Sequence, residues 1–309
     1  MIYVSVISHG HFKTLKELGA VSKLNNHSRI KVIIKDNLGE SELLDFCQEN
    51  KITYLRSKEK KGFGENNNEV FSSISSLITK EDFFVVMNPD IYIECSDLLD
   101  VVDECGSANV NLATINLYRD FDKKTYDNSV RKFPSAIDFF MSFLFKKNDC
   151  VVNKNKITKP TYVDWAAGSF LIFNAFFYSK LNGFNEKYFM YCEDIDICWR
   201  AKKHFNTSVL YYPCYAAIHL AQFNNRRIFS RHFIWHIKSI IFFYYIKMVC
   251  CVLVSCFNAN ILLRGENDTC YFGWWFGKSL VATFTRKVPQ AVFKVDWQFD
   301  NVAVNIITS

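Results

Sequence analysis

Up to residue 90 the chain alternates between short apolar runs and stretches with helical periodicity. The apolar runs cover residues 2–7, 31–35, 52–55 and 83–87, and polar or turn-forming residues follow them. Between them, Leu15, Leu18 and Val21 recur at helical spacing, and Leu43, Leu44, Phe46 and Cys47 mark a second helix. A third helix is expected from the turn at 62–64 to about residue 77. Such alternation predicts a doubly wound α/β sheet whose buried strands read as continuous hydrophobic runs. Ligands of these sheets bind beyond the carboxyl ends of the strands. Ser8, Asp36, Asn88 and Asp90 all fall at those ends.

Half of the 309 residues are hydrophobic, which allows a sizeable core and argues against disorder. The net charge of +6 gathers in small groups, at Lys58, Lys60 and Lys61 and at Arg226, Arg227 and Arg231. Such groups suit solvated surface, anionic lipid or a diphosphate substrate. No nucleic acid partner is expected, because no binding motif accompanies the charge. The 11 cysteines are odd in number and contain no Cys-x-x-Cys pair, so they read as free thiols of a reducing cytosol. The first residues lack the basic start and cleavage site of a signal peptide and read as a buried strand.

Further on, 112–117 is expected as a strand, 138–145 as a short aromatic helix and 154–160 as a polar loop. Residues 240–257 are nearly all apolar, but Lys247 near the middle is costly in a bilayer. A helix lying in the membrane interface is expected there, flanked by the three arginines and Lys238. A single span and a buried core helix are the alternatives. Trp274 and Trp275 suit interface anchors or ordinary core.

Four groups of residues carry chemistry. Asn88-Pro89-Asp90 follows an apolar strand, where a carboxylate can ligate Mg2+ or Mn2+ and so hold a diphosphate, although the same tripeptide makes a good turn. Glu193, Asp194 and Asp196 sit where a helix begins, behind Tyr188, Phe189, Met190 and Tyr191. Acids at that point suit capping, but a carboxylate walled by aromatics also suits a general base. Gly62-Phe63-Gly64 and Asn66-Asn67-Asn68 combine glycines that admit close approach with amides that reach ribose or phosphate. His219 ends an apolar run and fits either a core position or a metal shell.

The order of these groups resembles the inverting glycosyltransferases of family 2, which have the GT-A fold, over about residues 1–225. The resemblance is most specific at 62–68, at 88–90 and from Gly183 to Arg200. Ser129-Val130-Arg131-Lys132-Phe133-Pro134 and Phe189-Met190-Tyr191-Cys192-Glu193-Asp194-Ile195-Asp196 look most like rhamnosyltransferases of O-antigen assembly. The fold class implied is α/β, a GT-A Rossmann-like sheet in residues 1–225 with a helical, hydrophobic and basic membrane-associating region in 226–309.

The resemblance further implies that Asp194 is the catalytic base, with Glu193 beside it. Ser8, Asp36, Gly62, Phe63, Asn67, Asn88 and Asp90 would bind the donor, Asp36 through its pyrimidine. Trp165, Gly168 and Ser169 would border the acceptor, and Asp90 with His219 would hold Mg2+ or Mn2+. Asn88 stands where the family's motif carries its first acid, which removes one charged ligand. The implied partners are a nucleotide-sugar donor, dTDP-L-rhamnose, a lipid-linked diphosphate saccharide acceptor and the inner face of the bacterial inner membrane. Galactofuranosyl or other hexosyl transfer within the same family stays open. A sugar nucleotidyltransferase would carry a glycine-rich, arginine-containing loop after the first strand, unlike Ser8-His9-Gly10-His11-Phe12. A non-catalytic membrane scaffold would have no reason to place acids at successive strand ends.

Overall fold

The computed structural model describes residues 1–135, 150–220 and 235–247, together with the backbone of strands at 271–272, 280–281, 293–299 and 302–308. The helix expected over 138–145, the arginines at 226, 227 and 231, residues 248–257 of the apolar stretch and the tryptophans at 274 and 275 lie outside the described residues.

Three parallel pairings build the first half of the sheet. β1 (Ile2–Ser8) lies between β2 (Ile30–Asp36) and β4 (Phe83–Met87), and β3 (Thr53–Arg56) pairs with β2. β1 and β4 are buried along their whole length, as expected of strands covered on both faces. The helical stretch after β1 is two helices, α1 (Phe12–Leu18) and α2 (Ala20–Asn25). Gly19 takes φ 61° between them and donates its amide to the Leu15 carbonyl, a left-handed stop that glycine adopts without penalty. α3 (Ser41–Glu49) follows β2, and α4 (Phe63–Ile74) springs from Gly62.

Beyond β4 the sheet becomes mixed. β10 (Phe170–Asn174) runs antiparallel to β4 and to β6 (Leu112–Tyr118), and β11 (Val209–His219) lies parallel to β6. β11 slips register between Tyr212 and Ala216, where Pro213 has no amide hydrogen to give the ladder. Short β5 (Ile91–Ile93) and β8 (Thr161–Val163) flank β11. Among the described residues the path is β3-β2-β1-β4-β10-β6-β11-β5.

Two pairings decide what meets at the strand ends. Phe170 lies opposite Met87, so the Asn88 amide donates to the Ser169 carbonyl at 2.9 Å. His219 lies opposite Ile91, and the Leu220 amide donates to the Asp90 carbonyl at 3.1 Å. Strand order places β2 on one side of β1 and β4 on the other, which is the switch point where open sheets bind ligands.

The chain divides into units Met1–Tyr244 and Tyr245–Ser309. In the second unit Tyr271–Phe272 pairs with Leu280–Val281 and Phe293–Phe299 pairs with Val302–Thr308, both antiparallel. Among the described residues no helix is long and apolar enough to cross a membrane.

Candidate active site

Tight glycine contacts bring the turn before α4 against the acid-bearing helix Glu193–Phe205. A Cβ on Gly62 would lie 2.5 Å from the Phe189 carbonyl oxygen, and the Phe63 amide donates to that same oxygen at 3.1 Å. A Cβ on Gly64 would lie 2.7 Å from Cβ of Phe184. Asn68 fastens the arrangement from α4. Its Oδ1 accepts from the Phe184 amide and the Tyr178 hydroxyl, and its Nδ2 donates to the Phe184 carbonyl. Arg200 donates to the Leu181 and Gly183 carbonyls and to Asp196, tying the helix to the same loop. Side chains at Gly62 and Gly64 would hold these elements apart.

Gly168 sits at the junction. Its amide donates to Asp194 Oδ2 at 3.1 Å, and a Cβ there would lie 3.1 Å from the Phe63 ring and 3.6 Å from Cβ of Asp194. Phe63, Gly168 and Asp194, far apart in sequence, therefore meet. Next to Gly168, the buried Ser169 hydroxyl has no hydrogen-bond partner among the described residues. Trp165 is buried, donates its indole N–H to the Lys132 carbonyl, and carries the Arg131 guanidinium over its ring at 5.3 Å.

The three acids divide by environment. Asp196 is fully buried and accepts from Arg200 at 2.7 Å, a structural pair. Burial and the adjacent Asp194 charge push the Glu193 carboxyl well above its usual range, and its Oε2 has no hydrogen-bond partner among the described residues. Burial also raises Asp194, offset in part by the Gly168 and Ile195 amides and the Arg131 charge. Tyr191 and Cys192, just before the helix, hold φ of 73° and 67°. Each left-handed residue costs roughly 1–2 kcal/mol, and such strain clusters at functional sites. Residues 235–244 form a helical stretch packed on this turn: Ser239 donates to the Met190 carbonyl, and Phe242 meets the Tyr188 ring at 5.0 Å.

At the same end of the sheet, just past β4, Asp90 and His219 come together as expected, with Nε2 3.4 Å from Oδ1. The opposite ring nitrogen, Nδ1, lies 3.1 Å from Oδ2 of Asp127, a residue the sequence reading passed over. Burial disfavours the imidazolium, but the two carboxylates override it and lift His219 to about 9. His11, also passed over, feels the Asp90 and Glu40 charges, although burial keeps it below its ordinary value. Among the described residues no group of three His, Cys, Asp or Glu side chains is arranged to cage an ion.

Three residues expected to contact the donor carry hydrogen bonds within the chain. Asp36 is fully buried, and its oxygens accept from the Leu38, Gly39 and Glu40 amides and the Tyr54 hydroxyl. Asn67 is fully buried too, accepting from the Ser5 hydroxyl and donating to the Phe63 carbonyl. Asp36 braces the 38–40 loop, and Asn67 ties α4 to β1 and to its own first turn. Ser8 is likewise buried, bonded to Glu40 and to the His11 amide. A depression where α5 (Cys95–Ser107) meets β11, lined by Glu104, Leu210, Tyr212 and Tyr215, includes none of these residues.

No family model matches the chain. It is 37% identical over 242 residues to the rhamnosyltransferase WbbL of Escherichia coli K12, covering 77% of this chain and 90% of that protein. It is 26% identical over 184 residues to the low-salt glycan biosynthesis hexosyltransferase Agl10 of Haloferax volcanii, 58% of this chain and 57% of that one. The N-acetylglucosaminyl-diphospho-decaprenol L-rhamnosyltransferase of Mycobacterium tuberculosis is 28% identical over 166 residues, 52% of this chain and 53% of that protein. Among solved structures, GalNAc-T7 with UDP, GalNAc and Mn2+ superposes with a TM-score of 0.51 over 71% of this chain and 43% of that chain. At 11% identity that likeness bears on the fold alone.

Proposed function

This chain belongs to the rhamnosyltransferases of family 2, GT-A-fold glycosyltransferases, and from that membership we propose that it moves L-rhamnose from dTDP-L-rhamnose to a lipid-linked diphosphate saccharide in O-antigen or related surface-polysaccharide synthesis. The meeting of Phe63, Gly168 and Asp194 carries the mechanistic reading, because it sets a carboxylate of raised basicity beside a glycine-lined approach.

In this reading Asp194 takes the proton from an acceptor hydroxyl as that oxygen attacks the anomeric carbon. The bond from that carbon to the diphosphate oxygen breaks, and the nucleoside diphosphate leaves. A single displacement inverts the configuration. Two adjacent buried carboxyls do not both ionise readily. Glu193, with an oxygen that finds no donor among the described residues, keeps the proton, while the Gly168 amide favours the ionised form of Asp194. Trp165, Gly168 and Ser169 border the acceptor, and Gly62, Phe63 and Asn88 line the donor side.

A divalent ion fits Asp90 and His219, which offer one carboxylate and one imidazole nitrogen within 3.4 Å. Ions of this kind are commonly held by few protein ligands, with substrate phosphates completing the shell. Bound there, Mg2+ or Mn2+ would supply positive charge against the leaving diphosphate. Residues 226–309 would hold the enzyme on the cytoplasmic face of the inner membrane, which flotation of the full chain with anionic and with neutral vesicles tests; equal absence from both rejects it.

Thermal unfolding of the full chain with dTDP- and UDP-sugars, with and without Mn2+, tests the donor. The expected result is metal-dependent stabilisation that is greatest for dTDP-L-rhamnose. Stabilisation by UDP-sugars alone would overturn the donor assignment, and none by any nucleotide sugar would overturn the nucleotide-sugar reading.

A further inference from the structure

The loop between β6 and β7 (Val130–Arg131) delivers Asp127 to the Nδ1 side of His219. It folds as a hairpin. The Arg119 amide donates to the Thr125 carbonyl, the Asp127 amide donates to the Leu117 carbonyl, and the Tyr118 and Tyr126 rings stack at 4.8 Å. Asp120 closes the turn by accepting from the Lys124 and Thr125 amides. Because β6 and β11 run parallel with Tyr118 beside Ile218, the hairpin leaves the sheet next to the end of β11. Asp127 then sits between His219 Nδ1 at 3.1 Å and the Arg119 guanidinium at 3.7 Å, with its side chain 13% exposed.

We propose that Asp127 is a positioning residue for the divalent ion, fixing the His219 ring and its proton so that Nε2 faces Asp90 as a ligand. A carboxylate only accepts hydrogen bonds, so the nitrogen facing it, Nδ1, must carry hydrogen. In the neutral imidazole the lone pair then lies on Nε2, the nitrogen directed at Asp90. Metal-binding histidines commonly take such a carboxylate partner, and losing the partner costs 10–100-fold in metal affinity. The hairpin makes the arrangement rigid, since Asp127 is fixed by its own backbone bond and by Arg119. This inference rests on Asp90 and His219 being the metal donors.

The test measures Mn2+ binding to the full chain by electron paramagnetic resonance, in the presence of dTDP. Asp127→Asn keeps the shape and removes the charge, so its amide can donate to Nδ1 and admit the wrong tautomer. Asp127→Ala removes the partner altogether. About 10–100-fold weaker Mn2+ binding is expected for both variants, with thermal unfolding of Asp127→Asn close to that of the unmodified chain. Nitrogen-15 spectra of the Mg2+-loaded protein should place the His219 proton on Nδ1. Unchanged Mn2+ affinity in Asp127→Asn, or a proton on Nε2, would overturn the inference. His219→Ala and Asp90→Ala keep the two failures apart. If they also bind Mn2+ like the unmodified chain, or if the unmodified chain binds none, the metal reading falls and the role of Asp127 falls with it. If only those two lose the ion, the metal reading stands and Asp127 has no part in it. Should Asp127→Ala fail to fold, the asparagine variant and the spectra decide alone.

Discussion

Two buried carboxylates, Asp36 at the end of β2 and Glu193 at the start of the acid-bearing helix, lie in opposite conditions. Asp36 accepts from three loop amides and a tyrosine hydroxyl. Glu193 has an oxygen without a hydrogen-bond partner among the described residues and a second acid beside it. Burying a charge is tolerable when hydrogen bonds replace water, and costly otherwise. The first carboxylate therefore holds a loop in shape. The second is a destabilising feature that the fold tolerates where strain at Tyr191 and Cys192 and tight glycines already mark the chain. The satisfied acid braces its loop, while the under-bonded Glu193 sits beside Asp194, which accepts from the Gly168 and Ile195 amides.

The largest expected effect that would break this comparison belongs to Asp36. Asp36→Ala would strand several donors of the 38–40 loop, at about 2–4 kcal/mol of stability, read by urea unfolding. A loss well under 1 kcal/mol together with a large fall in donor affinity would make Asp36 a ligand contact instead of a brace.

A smaller effect of opposite sign is expected at Glu193. Its carboxyl is raised in the folded chain, so folding binds a proton that the unfolded chain releases near the ordinary carboxylate range. Stability from this group is full below the unfolded pKa and is lost as pH rises through the folded value. Glu193→Gln removes that loss. The variant should be more stable than the unmodified chain at pH 8, by about 1 kcal/mol or a few degrees in Tm, with the difference shrinking toward pH 4. An equal difference at both pH values would mean that Glu193 is not the group that titrates.

The strands were legible because long apolar runs leave few choices, and β1, β2 and β4 lie where periodicity places them. The glycine turn and the acid cluster were legible as a pair only through family resemblance, since the contact from Gly62 to Phe189 spans much of the chain. What a polar side chain near the strand ends faces was not legible. Asp36 and Asn67 carry groups suited to a ligand, yet each turns inward to its own loop or neighbour. Lys154 was expected in a polar loop, but its ammonium lies buried against Ser129 and Asn116, where burial lowers it to about 8. Asp127 was missed because its hairpin has no hydrophobic period and gains meaning only beside β11.

Asp194→Asn in the full chain tests the central claim most directly, with transfer to a lipid-linked acceptor and donor binding measured on the same preparation. Transfer should fall by about 10²–10⁴-fold while donor affinity stays near that of the unmodified chain. Ordinary turnover by that variant would contradict the account.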